Sequence, residues 1–173
     1  DLRRELPKPS TPVRTVGAVT SVALIRLAPT DSGEELGMAD RVLDAAALRD
    51  WAHTAVGDLI THTDEINRLN VFPVADADTG TNMLFTMRSA LAEANTAAGS
   101  GELARVATAL SVGALHGARG NSGVILSQIL RGLADVVAEA DGGRHAVDPV
   151  LLGAALRHGV DLAIASMGGR EVP

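Results

Sequence analysis

From residue 45 onward, apolar side chains recur three and four positions apart in one stretch after another, and glycine or proline interrupts the pattern between stretches. That spacing lines one stripe of a helix, so a chain written this way must bury helix against helix. Asp44 is a suitable N-cap for a first helix over roughly 45–67, with Leu48, Ala52, Ala55, Leu59, Ile66 and Leu69 on the buried stripe and His62 among them. A second helix is expected over about Asn82 to Asn95, ended by Gly99-Ser100-Gly101. A third runs from about Glu102 to His116, with Leu103, Val106, Ala107, Leu110 and Ala114 inward. The fourth begins near Ser122, presents Leu126, Ile129, Leu130, Leu133 and Val137 on one face, and stops before Asp141-Gly142-Gly143. The fifth opens with Asp148 as cap and Pro149 at the first helical position, where proline is favoured, and ends around Met167 before Gly168-Gly169. Aliphatic residues must fill the core, because the hydrophobic fraction is 46% but the aromatic fraction only 2%. The predicted fold is therefore all-α, an antiparallel up-and-down bundle or barrel.

Residues 1–37 differ in character. Four of the seven prolines lie there (Pro7, Pro9, Pro12, Pro29), and Val16 to Leu27 could form a strand. Met38 reads as a fresh start, so residues 1–37 are expected to be an upstream extension and 38–173 the domain. A net charge of -6 argues against a broad nucleic-acid surface. The absence of cysteine excludes thiolate metal sites and cysteine nucleophiles. No apolar run approaches the roughly 18 residues of a membrane span, and prolines occupy the place of a signal peptide's apolar stretch, so a cytoplasmic protein is expected. Of the 15 basic residues only Lys8 is a lysine. A P-loop needs a lysine beside its glycines, so any nucleotide must be held in another way.

Two stretches depart from helix patterning. In Asn70-Val71-Phe72-Pro73-Val74-Ala75-Asp76-Ala77-Asp78-Thr79-Gly80-Thr81-Asn82-Met83, Pro73 denies a continuous helix and Gly80 permits a tight turn. Asp76 and Asp78 can project towards one point, and two hard carboxylates suit Mg²⁺, which takes its other oxygens from water and phosphates. Thr79, Thr81 and Asn82 add polar groups beside a helix start, where backbone amides favour anions. The same residues also suit a plain turn with Asp78 or Thr79 as cap. In Gly117-Ala118-Arg119-Gly120-Asn121-Ser122-Gly123, three glycines let the backbone come close to a ligand. The amides of Asn121, Ser122 and Gly123 could then face an anion, with Arg119 adding charge. An ordinary packing loop capped by Ser122 reads equally well from this stretch alone.

The first stretch resembles the N-V-F-P-V-x-D-x-D-T-G-T-N-M signature of the nucleotide-binding (L) subunits of dihydroxyacetone kinases, in the wording of the bacterial fatty acid kinase A branch. The second, continued as Val124-Ile125-Leu126-Ser127-Gln128, matches that branch's second signature. The resemblance runs from about Met38 to the end. It implies a barrel of antiparallel amphipathic helices with ATP or ADP at one end and two Mg²⁺ ions between aspartates and phosphates. By match, Asp76 and Asp78 are metal ligands, Thr79, Gly80, Thr81 and Asn82 lie near the phosphates, and Arg119, Gly120, Asn121, Ser122 and Gly123 hold them from the second loop. The family's third ligand aspartate falls at Val71 here, which leaves Asn70 as the nearest polar substitute. A late D-A-G-G segment of the family does not occur before Pro173, so the barrel is expected to be incomplete at its C-terminal end.

The function expected is an ATP- and Mg²⁺-dependent phosphotransferase domain, with a fatty acid carboxylate presented by a separate lipid-binding partner protein. A dihydroxyacetone kinase subunit and a truncated, non-catalytic nucleotide- or partner-binding module are the alternatives. His53, His62, His116, His145 and His158 form no H-x-x-x-H pair, and His62 reads as a packing residue. Trp51 reads as core, and Arg131 with Asp135 as a surface pair one helical turn apart.

Overall fold

The computed structural model describes residues 42–70, 76–97, 102–140 and 145–168. Expectations for residues 1–37, and for the breaks at Gly99-Ser100-Gly101 and Asp141-Gly142-Gly143, lie outside them. Among the described residues five helices follow one another: α1 (Ala45–Leu69), α2 (Thr79–Thr96), α3 (Leu103–Gly117), α4 (Gly120–Glu139) and α5 (Pro149–Ser166). Two-residue strands β1 (Leu43–Asp44) and β2 (Ala146–Val147) pair antiparallel, Leu43 with Val147 and Asp44 with Ala146, and tie the start of α1 to the start of α5. So short a pairing has no period-two signature to be read from the sequence.

Local chemistry sets the helix starts at both ends of the series. Asp44 Oδ1 accepts the Ala47 N–H at 2.8 Å, and Asp148 Oδ1 accepts that of Leu151 at 2.7 Å, each satisfying an orphan donor of a first turn. Pro149 occupies the first turn of α5, where its missing N–H costs nothing. Each helix packs on the next along the chain, as an up-and-down bundle requires, and α2 also reaches α4. The α2–α3 pair runs antiparallel: Gly113 lies against Ser89 and Ala90, and Gly117 against Ser89 and Phe85.

Leu48, Met87, Val106 and Leu110 form the large buried centre, and Ala52, Ala90, Ala94, Ala107 and Ala114 fill the seams between helices. The inward set expected for α3 is buried throughout. Trp51 is half-buried against this core. Small residues also set the α4–α5 spacing. A Cβ on Gly132 would lie 2.4 Å from the Gly159 backbone N, and one on Gly159 would lie 2.8 Å from Ile129 Cα.

Three local expectations are corrected. The buried stripe of α1 is Ala45, Leu48, Ala52 and Val56; beyond Val56 no residue of α1 is fully buried. His62 is thus exposed, 3.3 Å from Glu65, and Leu69 is 66% exposed, because the second half of the helix runs past the main packing layer. α2 starts at Thr79 rather than Asn82, and α4 at Gly120 rather than Ser122. The cause at α2 is a side chain from another helix, described below. At α4, Arg119 is the N-cap residue and makes no side-chain cap bond, so Ser122 is an interior residue of the first turn.

Candidate functional site

The two motif stretches end at the starts of α2 and α4, and the bundle brings those starts together. Gly120 has a left-handed backbone (φ 58°), and a Cβ there would lie 2.3 Å from Asn82 Nδ2. The first motif's asparagine therefore rests on the second motif's glycine. One turn deeper, Thr86 is fully buried; its hydroxyl donates to Asn82 O at 2.8 Å and reaches Gly117 O at 3.5 Å. Two helix N-termini, each with the positive end of a helix dipole, thus share one corner of the bundle. Replacing Gly120 by alanine combines a left-handed L-residue with displacement of Asn82, and is expected to cost about 1–2 kcal/mol of stability, read as a lower urea midpoint with an unchanged slope.

At α4 the first intrahelical bond is Gly123 N–H to Arg119 O at 3.0 Å. The amides of Gly120, Asn121 and Ser122 precede it and are the ones the first turn can offer outward, whereas that of Gly123 is spent on the helix. The Gly120 and Asn121 residues are exposed, Ser122 is half-buried and Gly123 is buried. Arg119 is exposed, and its guanidinium carbon lies over the Phe85 ring, 4.7 Å from the centroid. A cation over a ring face is held by the ring quadrupole, which gives the Arg119 charge a fixed seat beside the α4 start. Phe85 was not among the residues the sequence pointed to.

At α2 the first intrahelical bond is Asn82 N–H to Asp78 O at 2.8 Å. Neither Asp78 nor Thr79 caps this helix. Asn67 of α1 does so from across the loop: its Oδ1 accepts the N–H of Gly80 at 2.7 Å and of Thr81 at 3.2 Å, and its Nδ2 donates to Thr81 Oγ1 at 3.0 Å. That capping lets the helix begin at Thr79. Gly80 is not a turn residue but part of the first turn of α2, where a Cβ would lie 2.7 Å from Thr63 O of α1. Left-handed backbone occurs instead at Ala77 (φ 54°), between the two aspartates.

Residues 71–75 of the loop, Val71 and Pro73 among them, lie outside the described residues. On their far side Asp76 is exposed and Asp78 half-buried. Asn70 Nδ2 donates to Asp76 Oδ1, which fixes one carboxylate against the end of α1. No group of three or more histidine and acidic side chains suited to a metal occurs among the described residues.

Elsewhere, Arg131 Nε lies 3.6 Å from Asp135 Oδ2 as the surface pair expected, and His158 Nε2 joins the same carboxylate oxygen at 3.2 Å. His116 is exposed and makes none of the motif contacts. No described helix is long and apolar enough to cross a membrane.

The family model of the DAK2 domain matches residues 73–173, which include Asp76, Asp78 and the whole glycine stretch. The chain belongs to the DAK2 domain family. Its helical bundle is that of the family, and membership makes it a nucleotide-binding module of the kind found in kinase subunits. Protein YloV of Bacillus subtilis is 38% identical over 126 residues, 73% of this chain and 22% of that protein. An uncharacterized protein of Staphylococcus saprophyticus is 52% identical over 77 residues, 43% of this chain and 13% of its own length. Another, from Staphylococcus aureus strain USA300, is 41% identical over 109 residues, 61% of this chain and 18% of its own length. The DAK2 chain thus spans between 13% and 22% of these curated relatives.

Proposed function

We propose that this DAK2 domain holds ATP or ADP between the Asn70–Asp78 loop and the start of α4, and serves a cytoplasmic kinase as its nucleotide-binding part. The contact of Asn82 with Gly120 carries the reading, because it makes one corner out of a carboxylate loop and a helix start with outward amides. Two Mg²⁺ ions fit this donor set. Asp76 and Asp78 are accessible hard oxygen donors, and Mg²⁺ accepts phosphate and water oxygens for the rest of its shell. Asn70 steadies Asp76 through Nδ2, and its Oδ1 is the further oxygen assigned to the ions in this reading. When bound, the ions neutralise polyphosphate charge, the main demand of phosphoryl transfer besides positioning.

The chain's own groups do the rest. Amides of Gly120, Asn121 and Ser122 receive phosphate oxygens, Arg119 adds a fixed positive charge from its seat on Phe85, and Thr79, Thr81 and Asn82 line the opposite wall. The acceptor is a fatty acid carboxylate brought by a separate lipid-binding protein. The motif wording of the fatty acid kinase A branch supports that choice over dihydroxyacetone.

Calorimetry tests the first step. ADP is expected to bind in the presence of Mg²⁺ and to lose its heat of binding on addition of EDTA; undiminished binding in EDTA rejects the metal-bridged site. ATP consumption is then measured in the native polypeptide with a fatty-acid-loaded lipid-binding protein and with dihydroxyacetone. Turnover with the first only is expected, and turnover with dihydroxyacetone would overturn the assigned acceptor.

A further inference from the structure

The hydrogen bonds of Asn67 go beyond those of a helix cap. An oxygen cap alone needs an acceptor for the first-turn amides, and serine, threonine or aspartate supply one. Asn67 adds a donor: Nδ2 points at Thr81 Oγ1 at 3.0 Å while Oδ1 takes the Gly80 and Thr81 amides. The assignment of oxygen and nitrogen is forced, because two backbone N–H groups can meet only the carbonyl end of the amide. A hydroxyl that accepts in this way keeps its own proton to donate in another direction. Asn67 also joins the last turn of α1 to the first turn of α2, so it holds together the two ends of the loop that carries Asp76 and Asp78.

We infer that Asn67 is a positioning residue of the polyphosphate site: its amide group fixes the Thr81 hydroxyl as a hydrogen-bond donor to a phosphate oxygen while clasping the aspartate loop. The inference rests on the proposed nucleotide site. Phosphate oxygens accept and never donate when ionised, so a hydroxyl already committed as acceptor towards Asn67 presents the complementary pole. Aspartate at position 67 would reverse the arrangement. It keeps an acceptor for the two amides and so keeps the cap, but its second oxygen would draw the Thr81 proton inward and leave a lone pair facing the phosphate.

A double-mutant cycle isolates this effect. Asn67→Asp, Thr81→Val and the double variant are compared with wild type in the full chain, by calorimetry with ADP and Mg²⁺ and by thermal unfolding without nucleotide. Asn67→Asp is expected to leave the unfolding midpoint within about 2 °C, since the cap survives, and to weaken ADP binding about tenfold, the lower end for a residue that orients a ligand contact. Thr81→Val should weaken binding to a similar extent, and adding Asn67→Asp to it should change affinity less than about twofold. Asn67→Asp binding ADP as wild type does would overturn the inference. So would a full tenfold further loss in the Thr81→Val background, which would assign the effect to charge. A midpoint drop large enough to account for the lost binding would reduce Asn67 to a structural cap. Failure of wild type to bind ADP with Mg²⁺ is a separate result that rejects the nucleotide site itself and the inference with it.

Discussion

Asp76→Asn combined with Asp78→Asn is expected to abolish measurable Mg²⁺-dependent ADP binding while leaving the fold intact. Both side chains are accessible and neither supports the core: Asp76 is exposed and Asp78, although it stands at the N-cap position of α2, makes no cap bond. The cap of that helix is Asn67, which the double variant does not touch. Asparagine keeps the shape and the Asn70 contact but removes the charge that a hard divalent cation requires. Loss of an outer partner of a metal ligand alone typically costs about 10–100-fold in metal affinity, so loss of both ligand charges should exceed ~100-fold. Calorimetry reads the binding and circular dichroism the fold. Unchanged affinity in a folded double variant would remove the aspartates from the site.

The largest expected effect on stability lies in the α4–α5 seam, at Gly132. A Cβ there meets the Gly159 backbone at 2.4 Å, its Cα at 2.5 Å and Ala155 O at 2.8 Å, all main-chain atoms that cannot swing aside. Gly132→Val must therefore push α4 and α5 apart, at a cost on the order of 3 kcal/mol, the upper range for overpacking a tight seam. Urea unfolding gives the number. Gly57→Ala in α1 is the matched control. Nothing lies within 4 Å of a Cβ at that position, so alanine should stabilise by about 0.5–1 kcal/mol through helix propensity alone. Equal and small effects at the two positions would show that the α4–α5 seam is looser than its backbone spacing indicates.

Helix existence, order and the caps at Asp44 and Asp148 were legible in the sequence. Each depends on residues three or four positions apart, a range over which spacing and cap chemistry act without help from the rest of the chain. The two motifs were legible for the same reason, being continuous strings. Boundaries next to the motifs were not. α2 begins earlier than its own residues indicate because Asn67, thirteen residues before Gly80, completes its first turn. His62 and Leu69 repeat at the spacing of a buried stripe, yet the packing layer ends at Val56, and periodicity carries no information about where a neighbouring helix stops.

The sequence by itself determined the amphipathic helices, their order and the caps at Asp44 and Asp148, because these follow from short-range stereochemistry and side-chain type. Only the tertiary structure decided that Asn82 rests on Gly120, that Arg119 lies on Phe85, that Asn67 reaches Thr81 and that Gly132 touches Gly159. Each of those contacts joins segments far apart in the sequence that only helix packing brings together, which no local pattern encodes.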